Sequence, residues 1–370
     1  MMTPVPVTFC ITDLDPGGAE RAMVQIVLRM PREVWAPNVI CLSGPGELVT
    51  ALEQAKVPVA CLGARKASDV WILPRLIRQL RQTKPQILQT FLFHANILGR
   101  LAGRWTGIPH ILSGIRVAEK RSAWPLRIDR WTQCCVEQNI CVSEGVAQFS
   151  HRQGGISRDK LIVIPNGVDA QKFATAEPAD LSPFGVPPGI RPFICIGRLD
   201  EQKGHRYLFE AIARIDPADP DLHLLVVGTG PLEKNLREWV EQRGLKEHIH
   251  FTGWSDQVPG LLRASSVFVL ASLWEGMPNV VLEAMAAGLP IIATAVEGVG
   301  ELVVPERNGM IVPPRNSGAL ADALTWFRAH PEAAAKMGQE SQHIVKKEFT
   351  TEAMAIRHVQ FYRRILDTSR

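Results

Sequence analysis

Apolar runs recur along this chain at the spacing of strand–helix units. "VPVTFCIT" (5–12) passes through "DLDPGGAE" into "RAMVQIVLRM", whose apolar positions fit a helical period. "NVICLS" (38–43), "VPVACLG" (57–63), "QILQTF" (86–91), "HILSGI" (110–115) and "QNICVS" (138–143) read as further short strands. After "LIVIPNGVD" (161–169) the pattern changes. Residues 174–192 hold five prolines and no periodicity, the composition of an interdomain linker. A second series follows with "FICIGRL" (193–199), "HLLVVGTGP" (223–231), "IHFTGW" (249–254), "VFVLAS" (267–272), "IIATAV" (291–296) and "GMIVPP" (309–314). From about Pro331 to Arg370 the pattern is helical.

This alternation predicts an α/β chain of two doubly wound, Rossmann-like domains with parallel sheets, facing each other across a cleft. The expected boundaries are a first domain over 1–175, a linker over 176–192, a second domain over 193–345, and a C-terminal helix over 346–370 that returns to the first domain. With 370 residues, 46% hydrophobic and 21% charged, the chain is long enough for two cores.

Charge changes this picture only locally. The formal net charge of +4 gives no reason to expect nucleic acid as a partner. Residues 1–180 carry 21 Lys and Arg against 15 Asp and Glu, whereas the remainder carries 20 against 22. A basic first half fits an acidic partner or a membrane surface, and ordinary scatter of surface charge fits equally well. The seven cysteines form no C-x-x-C pair and read as reduced thiols. No stretch has the length of a spanning helix, and the N-terminus has the pattern of a first strand, so the expected location is cytoplasmic.

Four strand-to-loop junctions carry candidate chemistry. In "DPGGAE", Gly17 and Gly18 let backbone N–H groups approach a ligand, and the helix that starts there favours an anion. Those glycines suit an anion loop better than the cation site that the embedded "DLD" invites. In "GRLDEQKG", Arg198 and Lys203 are placed either to converge on a diphosphate, one as a fork and one as a point charge, or to stand as two solvated surface cations. In "VGTGP", Gly228 and Gly230 form a turn that suits a nucleotide edge or a plain strand-to-helix connection.

The fourth junction is "WEGMPNVVLEAMAAGLP" (274–290). Pro278 and Asn279 signal a helix start, and Gly288 with Pro290 a stop. Gly276 permits close backbone approach, and residues Asn279 to Val281 stand at a helix N-terminus that favours phosphate. Glu283 lies one turn further along, in an otherwise apolar helix. A buried carboxylate there is costly unless satisfied, and a ligand bearing both phosphate and hydroxyls satisfies it.

Together these motifs resemble those of the retaining GT-B glycosyltransferases, family four. "EGMPNVVLEAMAAGLPIIAT" is similar to the family's E-x₇-E signature, and "GGAE", "PNGVD" (165–169), "GRLDEQKG" and "VGTGP" match its other landmarks in order. The resemblance covers nearly the whole chain and implies a GT-B fold. It implies a nucleoside-diphosphate-sugar donor, UDP being the commoner nucleotide, held mainly by the second domain. Arg198 and Lys203 match the diphosphate-binding pair, Glu283 the residue that holds ribose hydroxyls, and Glu275 the one that holds the donor sugar. Gly276, Met277, Pro278, Asn279 and Val280 match the donor-binding loop and helix start. Gly18 matches the loop glycine near the phosphates and acceptor, and His94 a histidine near the reacting carbon. Without the resemblance, His94 reads as a core or capping histidine.

The implied reaction transfers a sugar with retention to a hydroxyl of a saccharide or lipid-linked acceptor, in surface polysaccharide or glycolipid synthesis. It needs no metal and no cofactor, because the cations and the helix start supply the charge. The rival on a similar scaffold is a nucleotide-sugar epimerase. A phosphorylase would need a pyridoxal-phosphate lysine segment that nothing here resembles, and a non-catalytic binding protein would not need the full motif set. On the acceptor side, "WILPRLIRQLRQTK" (71–84) and "RVAEKRSAWPLRIDRW" (116–131) combine cations with tryptophans. They fit either a solvated helix face or a peripheral contact with anionic membrane.

Overall fold

In the computed structural model, which describes residues 3–64, 69, 71–118, 120, 124–215 and 219–368, the chain forms two compact units. The first comprises residues 1–167 with 351–370, and the second residues 168–350. The division therefore falls at Gly167/Val168, earlier than the expected 175, and the proline-rich stretch belongs to the second unit. Val168 and Thr350, which open and close that unit, are bridged to each other.

The first unit holds a parallel sheet of β1 (Val5–Ile11), β2 (Trp35–Cys41), β3 (Val59–Cys61), β4 (Ile87–Phe91), β5 (His110–Ile115), β6 (Gln138–Cys141) and β7 (Leu161–Val163). Its order is β3-β2-β1-β4-β5-β6-β7. The second unit holds β8 (Phe193–Ile196), β9 (Leu224–Val227), β10 (Ile249–Gly253), β11 (Val267–Leu270), β12 (Ile291–Thr294) and β13 (Gly309–Val312), ordered β10-β9-β8-β11-β12-β13. Every pairing in both sheets is parallel. Strands buried on both faces read as continuous apolar runs, which is why β11, VFVL, is so plain in the sequence.

Helices cover both faces of the first sheet. On one side the helix Gly18–Leu28 packs against the C-terminal helix Thr351–Thr368. Phe361, Tyr362 and Ile365 of that last helix enter the same core as Phe9, Trp35 and Phe91. Tyr362 Oη donates to Gln89 Oε1 inside it. On the other side Leu76 and Leu80, from the helix Ile72–Thr83, pack with Leu88 and Ile111. The helical tail expected from about Pro331 is two helices, Pro331–Glu348 in the second unit and Thr351–Thr368 in the first.

Both sheets reverse their strand order at the first strand, between β1 and β4 and between β8 and β11. Open parallel sheets bind ligands at the carboxyl ends of the strands flanking such a switch point. The expected site residues follow β1, β4, β8, β9 and β11. Among the described residues no helix is long and apolar enough to cross a membrane.

Candidate functional site

In the second unit the loops that follow β8 and β11 are laced together. Leu273 N donates to Gln202 O at 2.7 Å, and Gln202 Nε2 donates to Trp274 O at 3.0 Å. Gly204 has φ +62, and a Cβ there would stand 2.2 Å from Ala271 O, so only glycine lets these backbones approach. The lacing brings Lys203 and Glu275 together. Lys203 Nζ donates to Glu275 Oε1 at 2.6 Å, and Ser272 Oγ donates to the same oxygen at 2.7 Å. Ser272 is itself fixed from β12, because Thr294 Oγ1 donates to the Ser272 carbonyl at 2.6 Å. An ammonium tied in this way is a preorganised positive charge at the end of the sheet.

Glu275 is only 6% exposed, so it is the buried carboxylate of the E-x₇-E stretch. Glu283 is not buried. The helix Asn279–Ala286 buries Val281, Leu282, Ala284, Met285 and Ala286, while Asn279, Val280 and Glu283 lie half-exposed. These three share one face by helical geometry. The burial expected of Glu283 is thus corrected: position 283 falls one turn beyond Asn279 on the open face. Gly276, Met277 and Pro278 are buried in the loop leading to this helix. A Cβ at Gly298 would lie 2.1 Å from the Gly276 carbonyl, so the loop is packed from behind.

The glycines of "VGTGP" answer to neighbouring backbone. Gly228 has φ +128, and its Cβ would stand 2.2 Å from Gly197 O; a Cβ on Gly230 would stand 2.5 Å from Leu199 O. Leu199 N donates to Thr229 O, and Leu232 N donates to Leu199 O. This turn therefore braces the segment that carries Arg198, whose side chain is exposed.

In the first unit, Gly17 and Gly18 stand where β1 gives way to the helix Gly18–Leu28. A Cβ on Gly17 would lie 2.2 Å from Glu20 Oε2. The Glu20 carboxylate thus stands at this helix start, bonded by the backbone of Ala19 and Glu20. Glu20 is 8% exposed, and burial raises its pKa, partly offset by its own backbone N–H. Arg116, at the end of β5, acts on Glu20 electrostatically and donates to Asn166 of "PNGVD". Burial brings the Arg116 guanidinium down to about 10, against the pull of Glu20.

His94 is exposed, in the first turn of the helix Phe93–Thr106 that follows β4. The residue before that helix, Leu92, has φ 70 and ψ 158, a region reserved almost wholly for glycine. Such strain costs on the order of 1–3 kcal/mol and persists only where neighbours enforce it. Asn96 braces the turn that follows. Its N–H bonds Leu92 O, its Oδ1 accepts from Thr90 Oγ1 at 2.6 Å, and its Nδ2 donates to Gly114 O at 2.9 Å. Beside this helix start lies an apolar cavity of about 240 Å³ walled by Phe93, Ile115, Arg116, Leu126 and Phe149.

Sequence reasoning did not single out Glu20, Arg116, Ser272 or His205. Arg116 carried the signal that marked Arg198, a cation directly after a strand, and Glu20 is the acidic first-turn residue of "GGAE". His205 had none. It is buried beside Lys203, and burial, with help from the Lys203 charge, pushes its imidazole down to about 4.

Known families and proteins match this architecture. Residues 16–172 match the model of Glycosyltransferase Family 4, and residues 183–344 that of Glycosyl transferases group 1. The Escherichia coli UDP-Gal:alpha-D-GlcNAc-diphosphoundecaprenol alpha-1,3-galactosyltransferase is 31% identical over 324 residues, 83% of this chain and 84% of that protein. The lipopolysaccharide core biosynthesis glycosyltransferase LpsE of Rhizobium meliloti is 25% identical over 347 residues, 93% of this chain and 95% of its own. The crystal structure of Anabaena HepE in complex with UDP-glucose superposes with a TM-score of 0.86 at 21% identity, covering 97% of this chain and 99% of that one. Two Rossmann-like units of GT-B type, two matching family models and a full-length relative agree: this chain belongs to glycosyltransferase family 4 and is a glycosyltransferase.

Proposed function

We propose that this chain is a retaining glycosyltransferase that moves a sugar from a UDP-sugar to a hydroxyl of a saccharide or lipid-linked acceptor, in the synthesis of a surface polysaccharide or glycolipid. The observation that carries the reading is the Lys203–Glu275 pair, locked at the carboxyl ends of β8 and β11 by two interlaced loops. A mobile donor needs positive charge already in place where the leaving diphosphate gathers its own negative charge. Lys203 supplies a fixed charge and Arg198, exposed on the neighbouring loop, a fork.

In this reading the half-exposed face of Asn279, Val280 and Glu283 meets the nucleotide. The helix start takes phosphate and Glu283 takes the ribose hydroxyls. Glu275 accepts from a donor-sugar hydroxyl while bracing Lys203. The bond from the anomeric carbon to the diphosphate oxygen breaks as the acceptor oxygen bonds on the same face. The acceptor proton passes to the departing diphosphate, so no protein nucleophile is required. His94, presented by the strained turn at Leu92, stands on the acceptor side with the apolar cavity. The Escherichia coli relative is described by a UDP-Gal donor and a diphosphoundecaprenol-linked acceptor, and the HepE structure contains UDP-glucose. Both support the donor class proposed for this chain.

A peripheral membrane contact belongs to the same proposal. Trp71, Trp105, Trp124 and Trp131 are 55–82% exposed on or beside three neighbouring helices of the first unit, Ile72–Thr83, Phe93–Thr106 and Trp124–Trp131. Exposed Arg75, Arg78, Arg81, Arg104, Arg127 and Arg130 lie among them. Amphipathic rings next to cations suit an anionic lipid interface. Of the expected basic stretch 116–131, residues 119 and 121–123 lie outside the described residues.

The test is a product assay with UDP-sugars and lipid-linked saccharide acceptors, the anomeric configuration being read by NMR. An α-linked glycoside from an α-linked donor supports the proposal. A β-linked product overturns retention, and a donor epimer without transfer supports the rival reading. Co-sedimentation with anionic vesicles at low salt supports the membrane contact, and its absence removes it.

A further inference from the structure

The second unit carries a hollow at the end of the sheet opposite the Lys203–Glu275 pair. Its floor is Phe193, Val267 and Pro290, which begin or precede β8, β11 and β12, whereas the pair follows the carboxyl ends of β8 and β11. The hollow measures about 600 Å³, within the range of small-molecule sites. Three guanidinium groups line it, those of Arg191, Arg263 and Arg328, together with the amides of Gln339 and Gln342. Arg191 Nη2 donates to Ser265 O at 2.7 Å, and Arg263 Nη1 donates to Ala287 O at 3.1 Å. Each arginine is thus anchored by one N–H, with further donors left on its fork. Arg263 Nε is buried and has no hydrogen-bond partner among the described residues.

Two carboxylates temper this charge. Asp219 is paired with Arg328, and Asp221 stands exposed on the wall. Three cations against two anions, one of them already matched to Arg328, leave Arg191 and Arg263 as the groups available to an incoming anion. The backbone prepares Arg191. It precedes Pro192, which restricts it to extended geometry, and it closes the proline-rich stretch. The helix Pro331–Glu348 begins at the rim, while the helices Asn279–Ala286 and Ser317–Ala329 end there, so the arginines and not the helix dipoles supply the positive field.

We infer that this hollow is a second anion site, taking the phosphate monoester of a small phosphorylated molecule such as a sugar phosphate. Arg191 and Arg263 hold the phosphate oxygens by charge-assisted bonds. Gln339, and Gln342 through the amide oxygen left by its Nε2 bond to Ala286 O, serve the hydroxyls of the body that carries the phosphate. A protein that uses sugar nucleotides gains from this a place, separate from the strand ends that face its donor, at which phosphorylated sugar registers.

The test titrates glucose 6-phosphate into the full chain by calorimetry with saturating UDP present, which keeps the donor site filled. Expected is one site that inorganic phosphate competes for and that glucose does not occupy. Gln339→Glu, which places a carboxylate on an exposed wall position, weakens binding about tenfold and leaves sugar transfer unchanged. Arg263→Ala weakens it by at least as much. Arg263→Lys, which keeps a charge, shows whether any loss of fold underlies the alanine result. Absence of binding at millimolar ligand overturns the inference. So does binding that survives both Gln339→Glu and Arg263→Ala, and so does binding that Lys203→Ala abolishes, since the latter assigns the heat to the donor site.

Discussion

The two units repeat one strand order, yet they arrange charge at the switch point in opposite senses. In the second, the loop after the first strand, β8, contributes the cation Lys203, and the loop after β11 contributes the carboxylate Glu275. In the first, the helix after β1 contributes the carboxylate Glu20, and the cation Arg116 comes from the end of β5. Glycine accompanies both loops for different reasons. Gly204 and Gly228 let backbone press on backbone, whereas Gly17 makes room for a carboxylate. One topology thus sets a cation against a carboxylate in both units, but the loop or helix after the first strand supplies the cation in one and the carboxylate in the other.

The sharpest way to break this comparison is to remove the cation from the second unit. Lys203→Ala is expected to lower turnover by roughly 10²–10³, the scale of one preorganised charge stabiliser. Steady-state kinetics on the UDP-sugar check it, and a rate within about threefold of the unaltered protein would remove Lys203 from the role proposed.

Acid should then strike both units, most strongly through His358 in the first and His205 in the second. His205 and His358 are each held near 4, chiefly by burial. Their folded pKa values lie below the unfolded value of 6.5, so the unfolded chain binds more protons between those limits. Stability from each is therefore complete above about pH 6.5 and is lost as pH falls toward 4, by up to about 3 kcal/mol. Urea unfolding at several pH values should show this slope. His358→Phe should flatten it for the first unit while leaving the second unchanged.

Glycine substitution sharpens the contrast on a smaller scale. Gly228→Ala meets a backbone oxygen at 2.2 Å and needs φ +128, so a loss of about 2–3 kcal/mol is expected. Gly17→Ala has ordinary φ and meets the end of the Glu20 side chain, so about 1 kcal/mol is expected. Equal costs in denaturant unfolding would show that the two glycines do the same job. The smallest effect is Trp131→Ser. It should leave stability within about 0.5 kcal/mol, because the ring is 82% exposed, while reducing retention on anionic vesicles.

Much of the fold was legible in the residues. Strands buried on both faces read as near-continuous apolar runs, so "IIATAV" contains β12, and "HILSGI", despite His110 and Ser113, marks β5 to its ends. The helix Asn279–Ala286 starts and stops where Pro278, Asn279 and Gly288 placed it, because helix ends are set by local backbone chemistry. The residues proposed for the donor were legible as motif members. Their partners were not: nothing in "GRLDEQKG" shows that Lys203 meets Glu275 and Ser272, which lie 72 and 69 positions on.

What the sequence by itself determined is whatever depends on neighbours a few residues apart: strand and helix identity, loop chemistry, and the repeat of one architecture twice. Tertiary structure alone decided what depends on pairing across the chain. It made Glu275 the buried carboxylate and Glu283 the half-exposed one. It put Tyr362 of the C-terminal helix, already expected to return to the first unit, into that unit's core and onto Gln89. It also gathered Arg191, Arg263 and Arg328 around one hollow. Local pattern fixes which way a residue can face, but burial and charge partners arise only when distant strands lie side by side.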